Sequence, residues 1–257
     1  VKYVRYEHQG KTSYGILAAD QIEELSGNFI GGSPSKTGST VALADVKLLY
    51  PVEAPKVICV GLNYQSHLNG RPAPSKPEIF YKPPTALQNP GDPIEIPPDA
   101  KDTHFEAELV VVIGKTAKNV SAANAAEYIF GYTCGNDVSD RNWQKGSQGD
   151  KADVQWWRAK GSDTFGPLGP SIETEIDVPN ARITLRQNGE VKQTQMLSDL
   201  IFPPAKIIEF VSQFITLEPG DVIYTGTPGS TSPMKAGDTV EVEIEGIGVL
   251  SNPVAAG

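Results

Sequence analysis

The sequence predicts a β-dominated α+β fold, a mixed sandwich or roll preceded by a small β-rich unit, and three observations carry that prediction. Of 257 residues, 25 are Gly and 21 are Pro, well above the combined background of about 12%, so the chain turns often. Short apolar or alternating runs recur between those turns, the pattern of strands. Helical signals are confined to two stretches. A chain this long buries roughly 70–75% of its unfolded surface and needs no disulfide staple. Cys59 and Cys134 fit neither a metal nor a disulfide spacing, so both are expected reduced and buried, as in a cytoplasmic protein.

Residues 1–52 read as the small N-terminal unit, with strands near Lys2–Tyr6 and Ser13–Leu17 and a polar Gly/Ser patch at 31–35. Leu48-Leu49-Tyr50-Pro51 closes it, and no signal-peptide-like apolar run precedes it. Residues 53–257 form the second unit, opening with Lys56–Gly61, a run suited to a sheet interior. Asn69–Pro98 holds nine prolines in thirty residues, which excludes regular helix and central strand; a surface wrap or lid is expected. Ser121 is placed to N-cap a helix over Ala122–Phe130, with Gly131 just past its end. Asn188-Gly189 joins Ile183–Gln187 to Glu190–Thr194 as a hairpin. Pro203-Pro204 opens a second helix with Ile207, Ile208, Val211, Phe214 and Ile215 on one face. Turns at Pro219-Gly220-Asp221 and Ala236-Gly237-Asp238 feed strands Val222–Thr225 and Thr239–Glu245.

The formal net charge is −9. An acidic surface repels phosphate backbones, so neither nucleic acid nor an anionic membrane is an expected partner. A small carboxylate substrate stays compatible, because a cleft can be locally positive. The longest aliphatic run, Leu109–Ile113, is too short to span a bilayer.

Glu106 and Glu108 stand two apart in a strand-like stretch and therefore share a face. Alternating carboxylates alone describe a solvated face, as Glu241, Glu243 and Glu245 do equally well. Glu108, however, leads straight into five aliphatic residues expected to be buried on both faces. Adjacent carboxylates there repel and lose hydration, and they stay ionised only beside a cation. Asp137, after a short strand, can supply a third oxygen. Such a set suits a hard divalent ion, Mg²⁺ or Mn²⁺ with Ca²⁺ as an alternative occupant. Zn²⁺ through His104 ranks lower, because that residue lies one strand step outside the Glu pair.

Five ordered blocks carry a resemblance: Gly61-Leu62-Asn63-Tyr64-Gln65-Ser66-His67, Glu106-Ala107-Glu108-Leu109, Asn136 to Gln144, Asp221 to Pro228, and Gly237 to Gly248. Together they resemble the fumarylacetoacetate hydrolase superfamily over residues 56–254. The resemblance implies a soluble, usually dimeric protein that binds a 2-oxo acid or 1,3-diketone as its enolate beside Mg²⁺ or Mn²⁺. It implies metal ligation by Glu106, Glu108 and Asp137, and substrate or oxyanion contacts from Arg141, Gln144 and Lys160. Tyr64, Gly226 and Thr227 fall in its substrate-binding segments, and His67 matches the histidine that activates water or moves a proton.

Two departures bear on the reaction. Many short members carry an acid three residues after the histidine, where this chain has Gly70; Glu241 or Glu78 is the expected substitute. Ser230-Thr231-Ser232 replaces a frequent Gly-Val-Gly and is expected to reshape the carboxylate pocket. The reaction expected first is hydrolytic C–C cleavage of an acylpyruvate-like substrate. Without an acid for His67, oxaloacetate-type decarboxylation or 2-hydroxydienoate isomerisation or tautomerisation gains. A non-catalytic β-sandwich binding module with a filled cation site is the distant alternative.

Overall fold

The structure, a computed structural model, describes residues 1–257. Strands β1 (Lys2–His8), β2 (Lys11–Ala18), β3 (Gln21–Leu25) and β4 (Lys36–Ala42) form an antiparallel meander, and β5 (Lys47–Leu49) pairs with β1. Sequence reading found β1 and β2 but not β4, whose residues are mostly exposed and polar, so an edge strand without a buried face left no alternation to read.

The chain then enters the body of the same sheet with β6 (Val57–Gly61) and β7 (Glu78–Lys82). Short strands β8 (Leu87–Gln88), β9 (Ile94–Ile96) and β10 (Thr103–His104) lead into β11 (Ala107–Ile113). Next come β12 (Ile129–Asn136), β13 (Ser139–Asp140), helix α1 (Arg141–Lys145) and β14 (Gly166–Glu173). The proline-rich segment is therefore no free lid. It contributes β7 as the sheet's edge, β8 beside β14 and β9 beside the C-terminal strand, all places where missing N–H donors are tolerated.

The expected helix at 122–130 is absent. Only a 3₁₀ turn at Ala125–Tyr128 forms, and Ile129 and Phe130 begin β12. Long-range pairing overrides the local signal: Ile113 pairs with Ile129, and Glu209, not a local cap, takes the Ala122 N–H at 3.0 Å. Gly131 is no cap either. A Cβ there would lie 2.6 Å from Ile172 Cγ2, so glycine lets β12 approach β14.

The last part holds the hairpin β15 (Arg182–Gln187) and β16 (Glu190–Met196), helix α2 (Pro204–Phe214), and strands β17 (Val222–Tyr224), β18 (Thr239–Ile244) and β19 (Gly248–Ala256). The large sheet runs β4-β3-β2-β1-β14-β12-β11-β17-β6-β7, and a second sheet runs β16-β15-β18-β19-β9. Between them, Leu109 and Cys134 pack on Ile183, Leu185, Val240 and Val242. On the other side Ile207, Ile208 and Val211 of α2 pack on Val111, Ile113 and Ile58, each fully buried aliphatic side chain contributing about 1.5–3 kcal/mol. Phe214 is 68% exposed and meets the Phe210 ring edge-on at 5.3 Å, and Ile215 lies past the helix end. No helix is long and apolar enough to cross a membrane. Every residue of β11 is buried, which makes the carboxylates at its start anomalous.

Candidate functional site

β11 and β12 are antiparallel neighbours in which Ala107 faces Asn136 and Glu108 faces Gly135. That register brings Asp137, one residue past β12, alongside Glu106, and the Asp137 N–H donates to the Glu106 carbonyl at 2.9 Å. Asn136 Oδ1 accepts the Glu106 N–H at 2.9 Å, which fixes the approach to β11. The alternation read from the sequence then turns Glu106 and Glu108 to one side. One carboxylate oxygen from each of Glu106, Glu108 and Asp137 lies within 4.8 Å of the others, and all three residues are buried.

Three cations surround these three carboxylates. Lys160 Nζ donates to Glu106 Oε2 at 3.0 Å and to Asp137 Oδ2 at 2.6 Å. Arg141 Nη2 pairs with Glu106 Oε1. Lys82 Nζ lies 2.7 Å from Asp137 Oδ1, yet it donates to the carbonyls of Val138 at 3.1 Å, Phe165 at 2.8 Å and Lys160. Burial opposes the charge on Glu106, but Lys160 and Arg141 outweigh it and hold that carboxyl well below the usual range. Burial also opposes the Lys160 charge, and Asp137 and Glu106 more than compensate, so its pKa is raised. Glu108 goes the other way. Burial and then the charges of Asp137 and Glu106 push it well above the ordinary carboxylate range, although it accepts the Gly226 N–H at 2.7 Å.

A divalent cation fits this set. The donors are all oxygen, no cation pairs directly with Glu108, and Asp137 Oδ1 is buried with no hydrogen bond despite Lys82 beside it. Buried polar atoms are rarely left so.

The site opens into a cleft of about 570 Å³ whose lining includes Glu106, Asp137, Arg141, Gln144, Lys160, Thr227 and His67. Helix α1, missed in the sequence, presents Arg141 and Gln144 three apart on one face. Its signals were present: Asp140 caps it by accepting the Trp143 N–H at 2.9 Å, and Gly146 ends it at φ 71°. Gln144 Oε1 accepts from Arg141 Nη1 at 2.8 Å, so its amide N–H groups are left to face the cleft. His67 Nδ1 meets the Gly229 carbonyl oxygen. A carbonyl only accepts, so Nδ1 carries the proton and Nε2 is left as the basic nitrogen.

The family match agrees with this geometry. Residues 56–255 match the family model described as Fumarylacetoacetate (FAA) hydrolase C-terminal. The chain belongs to the fumarylacetoacetate hydrolase family. Residues 1–51 match a second model, Rv2993c-like, N-terminal. The mitochondrial oxaloacetate tautomerase FAHD2A of Bos taurus is 42% identical over 224 residues, covering 82% of this chain and 70% of that protein. Among solved structures, a 5-carboxymethyl-2-hydroxymuconate delta-isomerase from Mycobacterium smegmatis has a TM-score of 0.92 at 42% identity and covers both chains fully. The maleylpyruvate hydrolase from Sphingobium sp. SYK-6, in complex with manganese(II) ion and pyruvate, has a TM-score of 0.82 at 26% identity, again over both whole chains.

Within this member of the family, some expected site residues fall elsewhere. Glu241 does not reach His67. In β18, Val240 and Val242 turn into the core, so alternation sends Glu241 to the opposite face, where its backbone pairs with Arg186 and Ser251. Glu78 lines the cleft but makes no hydrogen bond to His67. Tyr64 is fully buried in the core beside the site and does not line the cleft; its hydroxyl is unpartnered, and burial, then Glu108 and Asp199, push its pKa well up. Gly226 acts on Glu108 through its N–H. Its φ of 103° and the 2.8 Å from a would-be Cβ to Asn63 Cβ require glycine there. Trp157 is 69% exposed, whereas Trp156 lines the cleft and packs edge-on against Phe80 at 5.3 Å.

The sequence does not mark Lys82 or Gln193 as site residues, and it marks Thr231 only as part of a departure expected to reshape the carboxylate pocket. Thr231 Oγ1 sits 3.0 Å from Arg141 Nη2 and 2.9 Å from His104 Nδ1, and His104 Nε2 lies 2.9 Å from Asp102 Oδ1. His104 thus supports Arg141 and is engaged on both ring nitrogens.

Proposed function

We propose that this protein is a divalent-metal-dependent enzyme, using Mg²⁺ or Mn²⁺, that interconverts keto and enol or double-bond isomers of small 2-oxo acids. The supporting observation is the buried Glu106–Glu108–Asp137 group beside Arg141, Gln144 and Lys160 at the base of one cleft. Glu106, Glu108 and Asp137 would hold the ion, which when bound supplies Lewis acidity to a carboxylate–oxo chelate.

Arg141 and Lys160, both cationic and fixed by Glu106, attract the substrate's negative charge. The free Gln144 amide N–H groups donate to oxygen that gains charge during enolisation. His67 Nε2 takes or returns a proton at the carbon next to the oxo group. No carboxylate orients His67, so it suits proton transfer with substrate better than activation of water. The named activities of the tautomerase and isomerase relatives support the same reading.

Hydrolytic C–C cleavage is the second reading, supported by Glu78 in the same cleft and by the likeness to a maleylpyruvate hydrolase. Product analysis separates them. With Mn²⁺ present, oxaloacetate is expected to interconvert its keto and enol forms faster than buffer allows, while an acylpyruvate is cleaved slowly or not at all. Cleavage of the acylpyruvate without catalysed tautomerisation would reverse the assignment.

A further inference from the structure

Gln193 lies in β16, in the second sheet, and is 4% exposed. Its amide spends every polar group on the site. Oε1 accepts the Ala107 N–H, between Glu106 and Glu108, at 3.1 Å. Nε2 donates to the Pro228 carbonyl at 2.6 Å and to Thr227 Oγ1 at 2.9 Å. The amide cannot be turned over: the flipped form would set oxygen against the Pro228 carbonyl and NH₂ against the Ala107 N–H. Nε2 must therefore face Thr227, whose hydroxyl oxygen is obliged to accept. A hydroxyl that accepts here has its proton to give elsewhere; the Thr227 hydroxyl donates to no protein group, and Thr227 lines the cleft.

We propose that Gln193 is a positioning residue that turns the Thr227 hydroxyl proton outward, as a ready donor to a substrate carboxylate in the cleft. The proposal rests on the 2-oxo acid reading above. The same side chain ties β11, which starts between two of the carboxylates, to the 226–229 loop, so the ion and anion subsites are set by one amide.

The test is oxalate affinity, measured by titration calorimetry on the full chain in saturating Mn²⁺, for wild type, Gln193→Met, Thr227→Val and the double variant. A hydrogen bond to a charged group is worth roughly tenfold or more in affinity. Each single variant is expected to weaken oxalate by about that factor. The double variant should be no weaker than Thr227→Val by more than about twofold, because Gln193 acts through that hydroxyl. Gln193→Glu keeps the acceptor for Ala107 but has at most one proton to donate, which the Pro228 carbonyl claims at the position where it now accepts from Nε2 at 2.6 Å, so Thr227 loses its donor. It should bind Mn²⁺ within about threefold of wild type and still lose oxalate affinity, chiefly when Thr227 is present; this variant serves if Gln193→Met fails to fold. Multiplicative losses in the double variant, or an equal Gln193→Glu loss in the Thr227→Val background, would overturn the proposal and leave the 2-oxo acid reading intact. A wild type that ignores oxalate in Mn²⁺ would overturn both.

Discussion

Lys82→Met removes a cation that is 2% exposed and paired with Asp137 Oδ1 at 2.7 Å. Breaking a buried ion pair from one side costs about 3–5 kcal/mol when it strands the other charge; here Lys160 still donates to Asp137 Oδ2 at 2.6 Å, which lowers that cost. The carbonyls of Val138, Lys160 and Phe165 lose their donor in the same step, which brings the expectation back into that range. For a chain of this size that corresponds to a fall in Tm of roughly 10–20 °C. Lys101→Met is the control: its pair with Asp150 spans 3.0 Å but lies at the surface with both partners partly exposed, so only a small loss is expected. Urea unfolding in chelator would report both values. Saturating Mn²⁺ should narrow the gap for Lys82→Met, since the ion supplies positive charge beside Asp137 in place of the lost lysine. If Lys82→Met cost no more than Lys101→Met, the three carboxylates would not be the electrostatically strained centre described above.

Other outcomes follow from the same geometry. Glu108 has a raised pKa in the folded, metal-free chain, so its stabilising contribution is full below the unfolded carboxylate range and is lost as pH rises through the folded value. Mn²⁺ binding should therefore release a proton, and its affinity should climb as pH rises from the ordinary carboxylate range toward the raised folded value; calorimetry in buffers of different ionisation enthalpy reads this, and zero release in that interval would contradict it. Glu106 is depressed, so its contribution is present above the unfolded range and should vanish as pH falls, visible as acid destabilisation that Glu106→Gln removes. Thr231→Val should raise KM for a 2-oxo acid by roughly tenfold, because Arg141 and His104 lose their shared hydroxyl, while Thr231→Ser stays near wild type in steady-state assays. His67→Ala should slow turnover by about 10²–10⁴-fold without shifting Mn²⁺ affinity, and a loss under about tenfold would remove His67 as the proton carrier.

The clustered carboxylates were legible because two short-range facts coincide: a period of two places Glu106 and Glu108 together, and the adjoining aliphatic run announces burial. Asp137 was legible because an antiparallel neighbour ends beside them. Glu241 shows the limit. Its strand alternates just as well, but the buried positions are Val240 and Val242, and only the sheet packing tells which face is which. The helix expected at 122–130 failed for a related reason, since pairing of Ile129 with Ile113 outweighed a local cap. Lys82 was hidden within a proline-rich stretch whose edge strand carries it inward. Gln193 reaches Ala107 and Thr231 reaches Arg141 across more than eighty residues of sequence, and no local pattern marks such contacts.

An oxygen-ligated cation at Glu106, Glu108 and Asp137 is tested most directly by anomalous diffraction from a crystal grown with Mn²⁺ and oxalate. The expected map has one strong peak within coordination distance of all three carboxylates, with oxalate completing the ion's ligands beside Arg141 and Gln144. A map with no peak there, or with manganese only at surface acids, would contradict it.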